Sequence, residues 1–465
     1  MGDADLGVLF EEVARYAAGF IERLPDRPVR SSASPNELRR AFDAPLPEVG
    51  LEPQTIIQEL TTAAEPGLVA TPGGRFFGFV IGGAMPVTVA ADWLAATWDQ
   101  NAGLYVASPA ASVVEDVVGR WLVELLGLPQ RSSFGFVTGG QMANFTGLAA
   151  ARHHVLEQEG WNVQDKGLRG APIVRVLASE TRHDTIDRSL RYLGLGTDSI
   201  RPLAADDEGR MSLVALRDAL ANGQGPTIVC AQAGNVNSGA FDRFDDVCAL
   251  AHEYNAWVHV DGAFGLWAAV SATRRHLVAG VEGADSWATD AHKWLNVPYD
   301  SGIAFCAHPE SHHAAMSVQA SYLIHAEGAE RDQMDWNPEF SRRARGFAVY
   351  AAIRYLGRKG ISHMIDRCCD HARRFAEVLG AAEDVEVLND VLLNQVLVRF
   401  LAKDGDHDTK TRAVVREVQA DGTCWMSGTA WRDMAAMRIS VSNWSTTEED
   451  VERSTEAILR VASAL

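Results

Sequence analysis

The apolar run WVHVDGAFG carries Asp261, and further along ADSWATDAHKW brings Lys293, preceded by His292, out of a second strand-like stretch. Open α/β sheets bind ligands at the carboxyl ends of their strands, so two such strand ends can face one ligand. An Asp-Gly-Ala on its own is as often a surface turn. With the lysine it offers more: an amine able to form a Schiff base, and a carboxylate able to keep a pyridine nitrogen protonated so that the ring accepts electrons. Those are two needs of pyridoxal 5'-phosphate (PLP). A third is a dianion site. Thr138-Gly139-Gly140-Gln141 supplies a glycine turn between a strand-like and a helix-like segment, and its N–H groups and helix N-terminus suit a phosphate. A Gly-Gly turn without the other two is commonly a tight loop.

Competing chemistries lack their parts. The glycine turn has neither the G-x-G-x-x-G order of a dinucleotide site nor the G-K-[ST] of a P-loop, and no G-x-S-x-G elbow occurs. The pairs His153-His154 and His312-His313 point to different sides of a helix, so no metal site is expected and they read as solvated surface. Six scattered cysteines without a Cys-x-x-Cys read as free, mostly buried thiols. A net charge of −19 argues against nucleic acid, whose partners cluster Lys and Arg. The start, MGDADLGVLF, lacks a basic n-region, and Leu6 stands where a myristoylation signal has Ser or Thr. No stretch reaches the roughly 18 to 20 apolar residues of a membrane span. The expectation is a cytoplasmic protein without membrane or nucleic-acid partners.

A chain of 465 residues exceeds one ordinary core, so a large domain and a smaller one are expected. Residues 1–75 read as a helical segment for packing or dimer contact. Residues 76–345 alternate strands and helices, the pattern of a mostly parallel sheet covered on both faces. The expected strands are Gly135 to Thr138, Ile173 to Ala178, Thr227 to Gln232, Trp257 to Val260, Ser286 to Thr289 and Gly302 to Ala307. Residues 346–465 read as a small α+β domain. It has a long helix through Leu356 and Met364 to Leu379, strands Leu393 to Phe400 and Met437 to Val441, and a capping box at Thr446 to Glu449.

In order along the chain stand FFGFVIGG from Phe76, the Ala107-Ser108-Pro109 turn, TGGQMANFTGLAAAR, SETRHDT, GNVNSGAFD, HVDGAFG, DAHKWLNVPYDSG and RISVSNWSTTEEDVE. Together they resemble the group II PLP-dependent decarboxylases, the family of aromatic-amino-acid and glutamate decarboxylases, over most of the chain. HKW and HVDGA are the most specific elements. The resemblance implies a PLP-dependent transferase-like (fold type I) large domain and a homodimer with shared active sites. It makes Lys293 the Schiff-base lysine and Asp261 the partner of the ring nitrogen. Ala263 and His183 would cover the two ring faces, and His292 would meet the phosphate beside Gly139, Gly140 and Gln141. Asn235, or Asn237, would donate to the ring hydroxyl. Tyr322 matches the mobile-loop tyrosine that returns a proton to the α-carbon, a position that is typically Phe in relatives forming aldehydes. Arg438 matches an arginine that meets a substrate carboxylate, with a structural ion pair as the alternative. Asp290-Ala291 departs from the family's frequent Asn-Pro, and a carboxylate there would repel a phosphate unless protonated or turned away, so Asp290 has no assigned role.

The implied function is decarboxylation of an L-amino acid to its amine. Phe79, Val80, Ile81 and Gly82 stand where the aromatic-acid enzymes have a bulky aromatic wall, with Asn101 and Gly103 in the segment reaching across a dimer interface, so a roomier and partly polar pocket is expected. GFVIGG has no Arg or Lys to hold the distal carboxylate of glutamate, and the expected substrate is an aromatic or apolar amino acid. The alternatives are an aldehyde synthase, which couples decarboxylation to oxidative deamination, and a catalytically inactive PLP-binding homologue.

Overall fold

The structure, a computed structural model, describes residues 6–318 and 330–465. Tyr322 lies outside them. Its centre is a sheet of seven strands: β1 (Ser133–Val137), β2 (Arg175–Ser179), β3 (Ile200–Leu203), β4 (Thr227–Gln232), β5 (Trp257–Asp261), β6 (Ser286–Asp290) and β7 (Gly302–Cys306). Their order is β1-β7-β6-β5-β4-β2-β3. The run from β3 to β6 is parallel, and β7 is antiparallel to both of its neighbours. Every residue of β4, β5 and β6 is buried, as a sheet with both faces covered requires. Polar side chains in these strands, such as His259 and Ser286, must therefore find partners inside.

Six of the seven strands fall within a residue or two of where patterning puts them. The missed one, β3, is the short edge strand IRPL, with two exposed residues and a proline that edge strands alone tolerate. It offers neither an apolar run nor alternation.

The C-terminal part forms an antiparallel sheet in the order β10-β11-β9-β8 from β8 (Val385–Val387), β9 (Gln395–Phe400), β10 (Ser427–Trp431) and β11 (Met434–Ser440). Helix His407–Asp421 packs on this sheet and helix Glu448–Ala464 packs on that helix. The last helix has its capping box one residue later than expected, with Thr447 at the cap and Asp450 closing it. The Thr446 hydroxyl is drawn away to the Gly74 carbonyl at 2.8 Å. The long run Gly346–Gly380 is broken at Gly357, whose φ of 60° and ψ of 174° no helix interior adopts.

Helices Leu6–Glu22, Pro35–Phe42 and Pro53–Ala64 bury none of their residues in the single chain, and leave Leu6, Phe10, Phe42, Ile56 and Leu60 exposed. No helix among the described residues is long and apolar enough to cross a membrane.

Candidate active site

Four strand ends converge on one cavity. Lys293 sits on the short helix Ala291–Trp294 directly after β6, and Asp261 ends β5, in register with Ala288 of β6. The turn after β1 delivers Gly139 and Gly140 to the start of helix Gly140–Glu157. The segment after β2 delivers His183, which caps helix Asp184–Tyr192. Lys293, Asp261, Ala263, His183, Gly140 and Gln141 all line this cavity, with Phe79 at its edge.

Each acidic group has defined partners. Asp261 Oδ2 accepts from Asn144 Nδ2 at 3.1 Å and lies 3.4 Å from the Thr185 hydroxyl, while Oδ1 accepts the Ala263 N–H at 3.2 Å. Asp290, 2% exposed, is 3.1 Å from Lys293 Nζ and accepts the Gly140 N–H. His292 Nε2 is 3.4 Å from the same carboxylate, and its Nδ1 accepts the Ser301 N–H at 3.0 Å. That bond leaves the neutral ring's proton on Nε2. Burial pushes His292 below the usual histidine range, with Asp290 opposing. His292 also lies against Tyr299, ring centroids 4.3 Å apart, and burial together with Asp290 pushes that phenol up to about 12.

Phe79 and Val80 both hold left-handed backbone, with φ of 56° and 59°. Bulky residues stay there only when the surroundings fix them. The Phe79 N–H donates to Ser427 Oγ at 3.1 Å, its ring leans on Trp425 with centroids 5.2 Å apart, and the Gly83 N–H donates to Asn296 Oδ1 at 2.6 Å.

Not every expected residue arrives. Asn235 is 1% exposed, but its oxygen accepts the Asn237 and Ser238 N–H groups and its amide donates to Thr181, so the side chain closes its own turn and Val236 lines the cavity instead. Asn237 accepts from Thr429 and from Arg438. Arg438, on β11, makes that contact at 3.3 Å and is not among the lining residues; nor is Asn101, whose Oδ1 accepts the Arg342 N–H at 3.0 Å. One histidine of each pair is buried, against the expectation of solvated surface, while His313 is exposed as expected. His312 is 1% and His153 5% exposed, because helix Pro309–Met316 packs on helix Gly140–Glu157 and His312 is held between Ser133 and the Trp336 carbonyl. No cluster able to hold a metal occurs among the described residues, and all six cysteines are free and buried.

The residues present fit PLP. A Cβ on Gly140 would lie 2.7 Å from Asp290 Oδ2 and 3.5 Å from the Ala263 Cβ, so only glycine leaves this cradle open to a phosphate. Gln232, beside Asp261 on β4, turns into the cavity a buried amide nitrogen that has no partner among the described residues. Among the lining residues the only positively charged groups are Lys293 and, when protonated, His183. The site thus combines an amine, a carboxylate held by three donors, an anion cradle and walls in which polar groups alternate with Phe79, Val236 and Phe264.

Comparison with known proteins agrees. The chain is 27% identical over 442 residues to an aromatic-L-amino-acid decarboxylase of Bacillus atrophaeus, covering 93% of this chain and 90% of that one. It is 25% identical to tyrosine decarboxylase 1 of Narcissus pseudonarcissus, covering 97% and 91%. Its fold matches Oryza sativa TDC, solved with PLP and tryptamine, with a TM-score of 0.92 at 22% identity, covering 100% and 99% of the two chains. The family described as the pyridoxal-dependent decarboxylase conserved domain matches residues 35–403. The chain therefore belongs to the pyridoxal-dependent decarboxylases and is a PLP-dependent amino-acid carboxy-lyase.

Proposed function

We propose that the substrate is an aromatic L-amino acid, converted to its amine and carbon dioxide with the cofactor attached to Lys293. The observation that carries the site assignment is the meeting of Lys293 and Asp261, from the ends of adjacent parallel strands, in one cavity with Gly140. The aromatic preference rests on Phe79, Val236 and Phe264 in the cavity wall, on the lack there of an arginine for a second carboxylate, and on what the two sequence relatives are named for.

Bound there, PLP supplies the electron sink for the pair released when carbon dioxide departs. Asp261 would serve the ring nitrogen, and Ala263 and His183 would cover the ring faces. The Gly139-Gly140 turn, Gln141 and His292 Nε2–H would receive the phosphate. His183 accepts the Thr185 N–H on Nδ1, which leaves its Nε2–H for the substrate carboxylate. Tyr322 or His183 returns the proton to the α-carbon. Arg438 is held by Asn237 as the second candidate for carboxylate contact, and Asn101 belongs to the partner's pocket. The protein is a homodimer through the apolar faces that helices Leu6–Glu22, Pro35–Phe42 and Pro53–Ala64 leave open. Six reduced thiols suit the cytoplasm.

The test is a visible spectrum of the purified protein, then an amino-acid panel scored for carbon dioxide, amine, aldehyde, ammonia and peroxide. Amine without aldehyde from aromatic acids, abolished in Lys293→Ala, is expected. Carbon dioxide from glutamate alone overturns the substrate, and full turnover by Lys293→Ala overturns the site.

A further inference from the structure

Behind Asp261 a line of buried polar groups runs through the sheet, and of its members before Asp261 only Asn144 lines the cavity. Trp257 Nε1 donates to Ser286 Oγ at 2.9 Å. Ser286 Oγ is 2.8 Å from His259 Nδ1, and His259 Nε2 is 2.9 Å from Asn144 Oδ1. Asn144 Nδ2 reaches Asp261 Oδ2 at 3.1 Å. Ser286 and His259 are 0% exposed and Asn144 is 1%.

The polarity of the line is fixed from both ends. An indole N–H only donates, so Ser286 accepts from Trp257 and its single proton goes to His259 Nδ1. The imidazole proton then sits on Nε2 and is given to the Asn144 oxygen, which turns the Asn144 amide nitrogen to the carboxylate. The reverse order would set the Asn144 oxygen against the Asp261 oxygen and leave the Ser286 proton without an acceptor. A neutral His259 is required, and burial pushes it down to about 4.

The backbone makes room for this line. Asn144 and Gly147 share the face of helix Gly140–Glu157 that looks onto β5, as a spacing of three allows. A Cβ on Gly147 would stand 2.7 Å from His259 Cε1, 2.8 Å from its Nδ1 and 3.3 Å from Ser286 Oγ. The helix thus carries no side chain where the imidazole lies.

We propose that Ser286, His259 and Asn144 form a one-way hydrogen-bond relay that aims the Asp261 carboxylate and keeps it charged for the cofactor's ring nitrogen, with His259 its central positioning residue. This rests on the role given to Asp261 above. Without the relay the carboxylate loses a fixed donor, gains freedom to turn and holds its charge less well, because hydrogen bonds to the ionised form are what favour it. Supporting partners of this kind are worth about tenfold to a hundredfold to the group they orient.

The test uses the full-length holoenzyme in four variants: Asp261→Asn, His259→Leu, His259→Gln and Gly147→Ala. Each is compared with the wild type for PLP affinity, the visible spectrum of the bound cofactor, and kcat and KM for the best amino acid of the panel. His259→Leu keeps the volume and removes both ring nitrogens. The expected result is PLP affinity weakened about tenfold, an altered cofactor band, and a kcat reduced about tenfold or more with KM within about threefold. His259→Gln, which keeps an acceptor and a donor, should recover most of this. Gly147→Ala, which touches neither cofactor nor Asp261, should reproduce the defect by pressing on the imidazole. If Asp261→Asn itself leaves the band and affinity unchanged, the role of Asp261 fails and the relay with it. If Asp261→Asn is defective while His259→Leu and Gly147→Ala keep wild-type band, affinity and kcat, the relay alone is refuted. Should His259→Leu not fold, Gly147→Ala and His259→Gln decide: an intact band in Gly147→Ala overturns the relay, and an altered one restored by no melting-point correction supports it.

Discussion

The Asp290 carboxylate stands 3.1 Å from the Lys293 amine and accepts the N–H of Gly140, so one acidic side chain holds both the proposed Schiff-base amine and the proposed phosphate cradle. Like charges a few ångströms apart cost several kcal/mol where water is excluded. A phosphate entering this cradle meets Asp290, which must turn aside or take up a proton. Asp290→Asn removes the charge and adds a donor. The expected outcome is PLP binding that is about tenfold tighter at pH 8, followed by the growth of the visible cofactor band on titration. A variant that binds PLP more weakly than the wild type would show that the carboxylate helps to hold the cofactor.

The pair Glu115 and Arg342 makes a stability prediction far from the chemistry. The two are 0% and 1% exposed and bonded through both guanidinium nitrogens at 2.9 and 3.0 Å, and Arg342 also donates to the carbonyls of Ala102 and Phe136. Removing one partner leaves a buried charge uncompensated, which costs about 3–5 kcal/mol. Arg342→Met should lose that much in chemical denaturation, and the double change Arg342→Met with Glu115→Leu should recover part of it. A loss below about 1 kcal/mol in the single variant would refute the pair's importance.

How far this architecture can be read from the sequence depends on what each residue answers to. Lys293, Asp261 and Gly140 are legible because strand ends and glycine turns are local patterns, and the structure brings these three to one cavity. Asn144 and His259 sit inside motifs that mark the site, yet their partners are a helical turn or a neighbouring strand away, and no local pattern announces a buried hydrogen bond across a sheet. The face formed by Gly140, Asn144 and Gly147 was the one available signal. Asn235 is the converse case: its residue type fits a cofactor donor, but its amide oxygen takes the backbone N–H two residues on and closes a turn on itself. His312 defeats surface reasoning because what buries it, Trp336, is distant in sequence.

Acid should unfold the protein through its buried neutral histidines. Burial pushes His259 down to about 4 and His312 down to about 3, against about 6.5 in an unfolded chain. Below 6.5 the unfolded chain takes up protons that the folded one refuses. Their contribution is thus full above pH 6.5 and is lost as the pH falls towards 4 and 3, at up to about 1.4 kcal/mol per pH unit for each. Asp242, which burial pushes up to about 6, acts in the opposite sense, its contribution fading as the pH rises through that value. Comparison with His312→Gln isolates one histidine. Denaturation between pH 6.5 and 4 should show a slope shallower by about one proton in the variant. Equal slopes would mean that His312 is protonated in the folded protein.

Phe79 offers the sharpest test of the substrate. It is 57% exposed, lines the cavity and is held in left-handed backbone against Trp425, an arrangement that keeps a large ring at the pocket's edge with little to cover. An aromatic contact with a substrate ring is worth about 0.5–1.5 kcal/mol beyond area burial, which is up to about tenfold in affinity. Phe79→Ala should therefore raise KM for an aromatic amino acid by about tenfold and leave kcat within about threefold, because a contact made equally in ground and transition states changes binding alone. The melting temperature should hardly move, since the ring covers little of the core. A KM that stays put, with kcat falling instead, would place Phe79 at the reacting atoms and remove it as the wall that selects an aromatic side chain.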